Sequence, residues 1–124
     1  MPDRVIAYKL LAKLFQILSH PHRLRIIEEL YGGAKDVSTL TTLLDISQSS
    51  VSQHLNQLKM FPLVTEERQG KHVIYNLKQE KLSPWLLQGL DIVSNEYRNN
   101  EQTIKMLESA KSHWLNDKTL GGNN

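Results

Sequence analysis

The stretch Ser47-Gln48-Ser49-Ser50-Val51-Ser52-Gln53-His54-Leu55-Asn56-Gln57-Leu58-Lys59 decides how this chain folds. Val51, Leu55 and Leu58 recur at helical spacing, so one side of the segment must face a core. The other side carries Gln48, Ser49, Ser52, Gln53, Asn56 and Gln57 and almost no charge. A helix face that merely meets water normally carries Lys and Glu at paired positions. Amides and hydroxyls instead offer paired donors and acceptors, the chemistry that reads base edges in the major groove of DNA. Ser47 stands at the expected N-cap, and it and the first-turn N–H groups suit a phosphate oxygen.

Upstream, Asp45-Ile46-Ser47 reads as a tight break. Before it, Ser38 is expected to cap a short helix to about Leu44, with Leu40, Leu43 and Leu44 buried. Two short helices about three residues apart have the helix-turn-helix spacing. Further upstream, Ala7, Leu10, Leu11, Leu14, Phe15 and Leu18 predict a helix over Asp3–Leu18. A second helix is expected from about His20 to Tyr31, capped by Ser19, with Pro21 in its first turn and Leu24, Ile27 and Leu30 inward. Gly32-Gly33 should end it.

Downstream comes a hairpin, with strands Leu63–Arg68 and His72–Leu77 joined by Gln69-Gly70-Lys71. In the second strand Val73 and Tyr75 point one way, and His72, Ile74 and Asn76 the other. Its tip places Arg68, Lys71 and His72 where they can reach phosphates or the adjacent minor groove. Ser83-Pro84 opens a last helical region by cap and first-turn logic. There Leu86, Leu90, Val93 and Tyr97 form a stripe that Ile104, Leu107, Ala110 and Trp114 continue nearly in phase. That phase favours a continuous or kinked helix across Asn99-Asn100 to about Asn116 over two separate helices. The predicted class is mainly α with a small β-hairpin (α+β): a winged helix-turn-helix of four helices, a hairpin and an extended C-terminal helical region.

With 124 residues, the chain has the length of one domain, taken as residues 1–117, with 118–124 as a disordered tail ending in Gly-Gly-Asn-Asn. Net charge is +2, a mild excess that fits nucleic acid without arguing for it. The sequence has no cysteine, so disulfides, thiolate metal sites and thiol redox switches are excluded. Neither a signal peptide nor a run of the ~20 apolar residues a membrane span needs is legible, which points to a cytoplasmic location and no membrane partner. No phosphate-cradling glycine loop, metal pair or nucleophile placed with its base argues for an enzyme.

Three segments, in the right order, resemble the ArsR/SmtB family of bacterial repressors. They are Leu18-Ser19-His20-Pro21-His22-Arg23-Leu24-Arg25-Ile26-Ile27, the Ser47–Leu58 segment followed by Leu63-Val64, and the wing Arg68–Leu77. The resemblance implies sequence-specific binding to double-stranded DNA at a palindromic operator, with Ser47, Gln48, Ser49, Ser50, Ser52, Gln53, His54, Gln57, Arg68, Lys71 and His72 as contacts. It implies a homodimer joined through the first and last helices, which places Leu10, Leu11, Leu14, Leu86, Leu90, Val93 and Tyr97 at the interface. It also implies repression relieved by an effector. A winged-helix protein-interaction module working through its terminal helix without DNA is the alternative; it would not need the polar face and cationic wing.

The chain departs from the family in several places. Leu43-Leu44-Asp45-Ile46 stands where some members carry a cysteine metal box, so that site is absent. Asp91 begins a second type of metal site, but Val93 stands where a histidine is expected. His113, with Glu108 and Asp117 near it in sequence, could supply only a remote oxygen/nitrogen site. His20 and His22, flanking Pro21, read as a helix-entry turn, and His54 as a packing or phosphate-contact residue. The expectation is therefore no metal and no cofactor. Pro62 replaces a usual glycine at the helix exit without touching the polar face. Trp85, Tyr97 and Trp114 add apolar surface read as dimer interface rather than as a pocket for a small organic effector, and Gly89 suggests a close helix approach across the dimer axis.

Overall fold

Local capping sets most of the element boundaries. The computed structural model describes residues 2–122, with side chains as far as residue 115. Helix α1 is Pro2–Leu18 and α2 is Pro21–Tyr31; β1 (Lys35–Asp36) leads into α3 (Val37–Leu44) and α4 (Gln48–Met60). The wing is β2 (Val64–Gln69) and β3 (His72–Leu77), followed by α5 (Leu82–Glu96) and α6 (Glu101–Gly122). The helix-turn-helix, the wing and the C-terminal helical region stand where the sequence predicts them. Helix α6 takes in residues 118–122 of the expected tail, and residues 123 and 124 lie outside the described ones.

Three predicted caps move. Ser19 does not cap α2; His20 does, its Nδ1 accepting from the His22 N–H at 3.1 Å. Ser38 does not cap α3; the carboxylate of Asp36 accepts from the Thr39 N–H at 2.8 Å. Thr39 holds that carboxyl below its ordinary pKa, because the N–H bond favours the charged form. Ser83 does not cap α5, which begins at Leu82 after Lys81. It is fully buried in the first turn, and its Oγ meets no hydrogen-bond partner among the described residues.

The core is built where α2, α3 and α4 meet. Ile26 and Ile27 of α2, Leu40 of α3, and Val51, Leu55 and Leu58 of α4 are all at 0% exposure. Leu63, Val64, Tyr75, Leu82 and Trp114 close around them. Leu24 and Leu43, predicted inward, are exposed instead. The buried stripe of α2 is centred on Ile26, Ile27 and Leu30, which turns Leu24 toward a groove shared with α1 and α5.

The sheet has three antiparallel strands in the order β1-β3-β2. Strand β1, two residues long and not predicted, pairs Lys35 with Tyr75 and Asp36 with Ile74. Gln69 pairs with His72, so the predicted three-residue turn is a two-residue loop, Gly70-Lys71. Gly70 has φ +64° at the first loop position, which a type II′ turn reserves for glycine.

The C-terminal region is two helices, not one. Helix α5 ends at Glu96, and Asn100 restarts the chain by accepting from the Thr103 N–H at 3.0 Å. Helix α6 then returns onto α2, where Trp114 is buried with its ring 5.8 Å from that of Tyr31. The two helices pack on each other and both meet α2, while Val93 and Tyr97 at the end of the α5 stripe stay exposed.

Two stability predictions follow from this packing. Leu55→Ala should cost about 2–5 kcal/mol in denaturant unfolding, as a fully buried leucine with no room to collapse. Ser83→Ala should leave the melting temperature unchanged or raise it, since it removes a buried, unpaired hydroxyl; a clear fall would mean that the hydroxyl is hydrogen-bonded.

Candidate nucleic-acid interface

Helix α4 is held by its buried stripe, so its opposite face has nowhere to go but outward. Gln48, Ser49, Gln53, Asn56 and Gln57 are exposed, while Ser50, Ser52 and His54 are half-buried at its edges. The turn from α3 is fixed by Asp45 in the left-handed region (φ 55°), its N–H bonded to the Thr41 carbonyl at 2.9 Å. Ser47 caps α4 as predicted: its Oγ accepts from the Ser50 N–H at 3.1 Å and donates to Ser50 Oγ at 2.9 Å. This hydroxyl therefore sets the start of the helix first, and the amide side chains beyond it remain available.

The wing lies beside this face. Arg68, Lys71 and His72 are exposed at its tip, and Lys71 enters no ion pair among the described residues. His72 lies 3.9 Å from Asp36, which ties the second wing strand to β1. Lys59, in the last turn of α4, meets Glu66 of β2 at 2.6 Å. Lys59 first, and the Tyr75 hydroxyl after it, hold the Glu66 carboxyl below its usual range. This ion pair fixes the wing relative to the helix, a role the sequence did not reveal.

Arg23 is a further cation beside this face. From α2 it donates through Nε to His54 Nδ1 at 3.2 Å and through its terminal nitrogen to the Ile17 carbonyl at 3.1 Å. It lines a shallow depression with Gln53, His54, Asn56 and Gln57. Burial first, then His20, Arg23 and His22, hold the His54 imidazole below its ordinary value. The only sequence signal for Arg23 was its place in the segment that opens α2; its contact with α4 spans 31 positions.

A second surface is apolar. Leu10 and Leu11 of α1 and Val93 and Tyr97 at the end of α5 are exposed, with Leu14, Leu86 and Leu90 half-buried beneath them. Val5, Ile6, Phe15 and Ile92 extend the same exposed set. Phe15 and Trp85 stack at 5.4 Å and join α1 to α5. Among the described residues nothing lies within 4 Å of where a side chain on Gly89 would begin, so no close approach within the chain requires this glycine.

A recognition helix seated on a helix-turn-helix, with a basic wing beside it, defines a winged-helix DNA-binding regulator. Comparison with known proteins agrees. A family model described as a helix-turn-helix domain matches residues 18–59. The HTH-type transcriptional regulator Rv0081 of Mycobacterium tuberculosis is 35% identical over 106 residues, covering 85% of this chain and 93% of that protein. The arsenical resistance operon repressor of Staphylococcus xylosus is 33% identical over 89 residues, covering 72% and 85% respectively. The crystal structure of Rv0081 superposes with a TM-score of 0.68 at 28% identity, over 75% of this chain and 94% of that one. The chain belongs to the ArsR/SmtB family of winged helix-turn-helix repressors. It is a DNA-binding transcriptional regulator, in a family of regulators and not of enzymes.

Ser47→Ala should cost about 1 kcal/mol, the usual worth of an N-cap hydroxyl. Urea unfolding would read this in the absence of DNA, separating the capping role from any contact with phosphate.

Proposed function

We propose that this chain is a homodimeric, cytoplasmic repressor that binds a palindromic operator with half-sites about one DNA turn apart. The observation that carries this reading is the α4 face: exposed, almost uncharged and amide-rich, and flanked by the cations of the wing. Gln48, Ser49, Ser52, Gln53 and Gln57 read base edges, and Ser47, Ser50 and His54 support the phosphate contacts of the first turns. Arg68, Lys71 and His72 supply sequence-independent attraction to the backbone. Arg23 adds a cation on the α2 side.

The dimer reading rests on the apolar surface of α1 and α5, too extensive to leave facing water. A structure of similar fold, Mb0332 of Mycobacterium bovis (TM-score 0.64, 23% identity, over 78% of this chain and 89% of that one), is described as homodimeric. Placing one copy against another there covers Leu10, Leu11, Val93 and Tyr97 and sets two α4 helices on one side of the DNA. Relief of repression belongs to an effector that favours a dimer arrangement unable to span both half-sites. A pure protein-interaction module is not favoured, because it leaves the α4 face without a purpose.

A gel shift with the chain's own upstream DNA tests the reading, and no shift at low salt would sink it. Gln53→Ala should weaken operator binding more than random-DNA binding, while Lys71→Ala should weaken both alike and flatten the salt dependence. Leu10→Glu combined with Val93→Glu should convert the dimer to monomer in sedimentation velocity, with the monomer still folded by circular dichroism.

A further inference from the structure

Among the described residues, three metal-ligating side chains converge in two places. One joins Glu28 and Glu29 of α2 to His113 of α6. Those carboxylates are already engaged by Arg25 within α2, at 3.3 and 3.4 Å, and by His113 of α6 at 3.8 and 3.5 Å, so each is committed to neighbours in the fold. The other joins His20 and His22, at the start of α2, to His54 in the middle of α4.

The three imidazoles face one another. Ring centres are 4.3 Å apart for His20 and His54, 5.2 Å for His20 and His22, and 5.7 Å for His22 and His54. One ring nitrogen from each lies within 4.8 Å of the others. A tetrahedral zinc ion with Zn–N bonds of 2.0–2.1 Å needs those nitrogens roughly 3.4 Å apart. The remaining difference is of the size that rotation about the imidazole-bearing bonds spans. All three residues are half-buried: screened enough to shed part of their hydration, open enough to admit an ion and a fourth ligand from solvent. We propose that His20, His22 and His54 form a binding site for a zinc-class divalent ion, linking the entry of α2 to the recognition helix.

Donor chemistry narrows the ion. Three neutral imidazoles with no carboxylate suit Zn²⁺, Co²⁺, Ni²⁺ or Cu²⁺ and reject Mg²⁺ and Ca²⁺, which require oxygen. One open position is the arrangement of a zinc site that exchanges its fourth ligand, as opposed to a closed structural site.

Ion binding has a defined cost. A neutral imidazole has one nitrogen with a free lone pair. In His54 that nitrogen is Nδ1, accepting from Arg23, and in His20 it is Nδ1, accepting from the His22 N–H. If the ion takes Nδ1, it displaces the donor; if it takes Nε2, the proton must move to Nδ1, which can then no longer accept. Either way the Arg23–His54 hydrogen bond and the His20 cap are exchanged for metal–nitrogen bonds. The Arg23 guanidinium must also swing aside, since it would otherwise repel the incoming cation. Occupancy thus resets Arg23 and His54 beside Gln53 and Gln57, a consequence for operator binding that rests on the DNA-reading role of α4; the ion site does not.

The test is titration of the chelator-stripped full chain with Co²⁺, without DNA. The expected result is one Co²⁺ per chain with the intense visible bands of a tetrahedral ion, displaced by Zn²⁺ and not by Mg²⁺. His22→Gln should lose these bands while remaining folded by circular dichroism, because its cap contribution is a backbone N–H; His54→Gln is the second such variant. His113→Gln should keep them, and Arg23→Gln should bind more tightly than the wild type. No stoichiometric Co²⁺ binding, bands that persist in both His22→Gln and His54→Gln, or bands lost in His113→Gln would overturn the site. Because none of these readouts involves DNA, they stand or fall separately from the operator reading.

Discussion

Val51, Leu55 and Leu58 of α4 are pinned under Ile26 and Ile27 of α2 and Leu40 of α3, and the rest of the molecule depends on that contact. Burial of these side chains, each worth about 1.5–3 kcal/mol relative to exposure, fixes the rotation of α4 about its own axis. Once the apolar stripe is committed inward, the helical period commits Gln48, Gln53, Asn56 and Gln57 outward. The outward polar face is thus a by-product of core packing: the same leucines that stabilise the fold aim the amides.

Charge is divided between elements. The α4 face is nearly neutral and carries amides and hydroxyls, while cations sit at its borders on the wing and on α2. The Lys59–Glu66 pair is of a different kind: both side chains are consumed in positioning β2 against the end of α4. Exposed ion pairs contribute little to stability, so its value here is geometric. Arg23 likewise combines a structural task with its charge, since it bonds the Ile17 carbonyl while touching His54.

His54 shows how one side chain can answer to several neighbours. On the sequence it is a polar residue next to a core leucine. In the fold it lies against His20, meets His22 and accepts from Arg23, in a partly desolvated pocket that disfavours the charged ring. A ring in that state presents a lone pair, and what occupies that lone pair determines whether α2 and α4 are joined by a hydrogen bond or by something stronger.

Local pattern alone determined the helix-turn-helix and the wing. Leucines at helical spacing, a serine before them and a glycine at the hairpin tip act over a few residues, and their physics does not require the rest of the chain. Capping was legible only in part. Ser47 caps as expected, but Ser19, Ser38 and Ser83 do not, because each had a neighbour better placed or was drawn into the core. The break between α5 and α6 was hidden for a related reason: a stripe in phase across Asn99-Asn100 looks continuous until Asn100 caps a new helix and Trp114 finds Tyr31. Strand β1 was too short to show any periodicity. The meeting of Arg23, His20 and His22 with His54 was decided by the tertiary structure alone, since these groups lie 31 or more positions from His54 along the chain and only the packing of α2 on α4 brings them together. The chain's own segments specify the amide-rich outer face of α4; the crossing of two helices specifies what stands beside it.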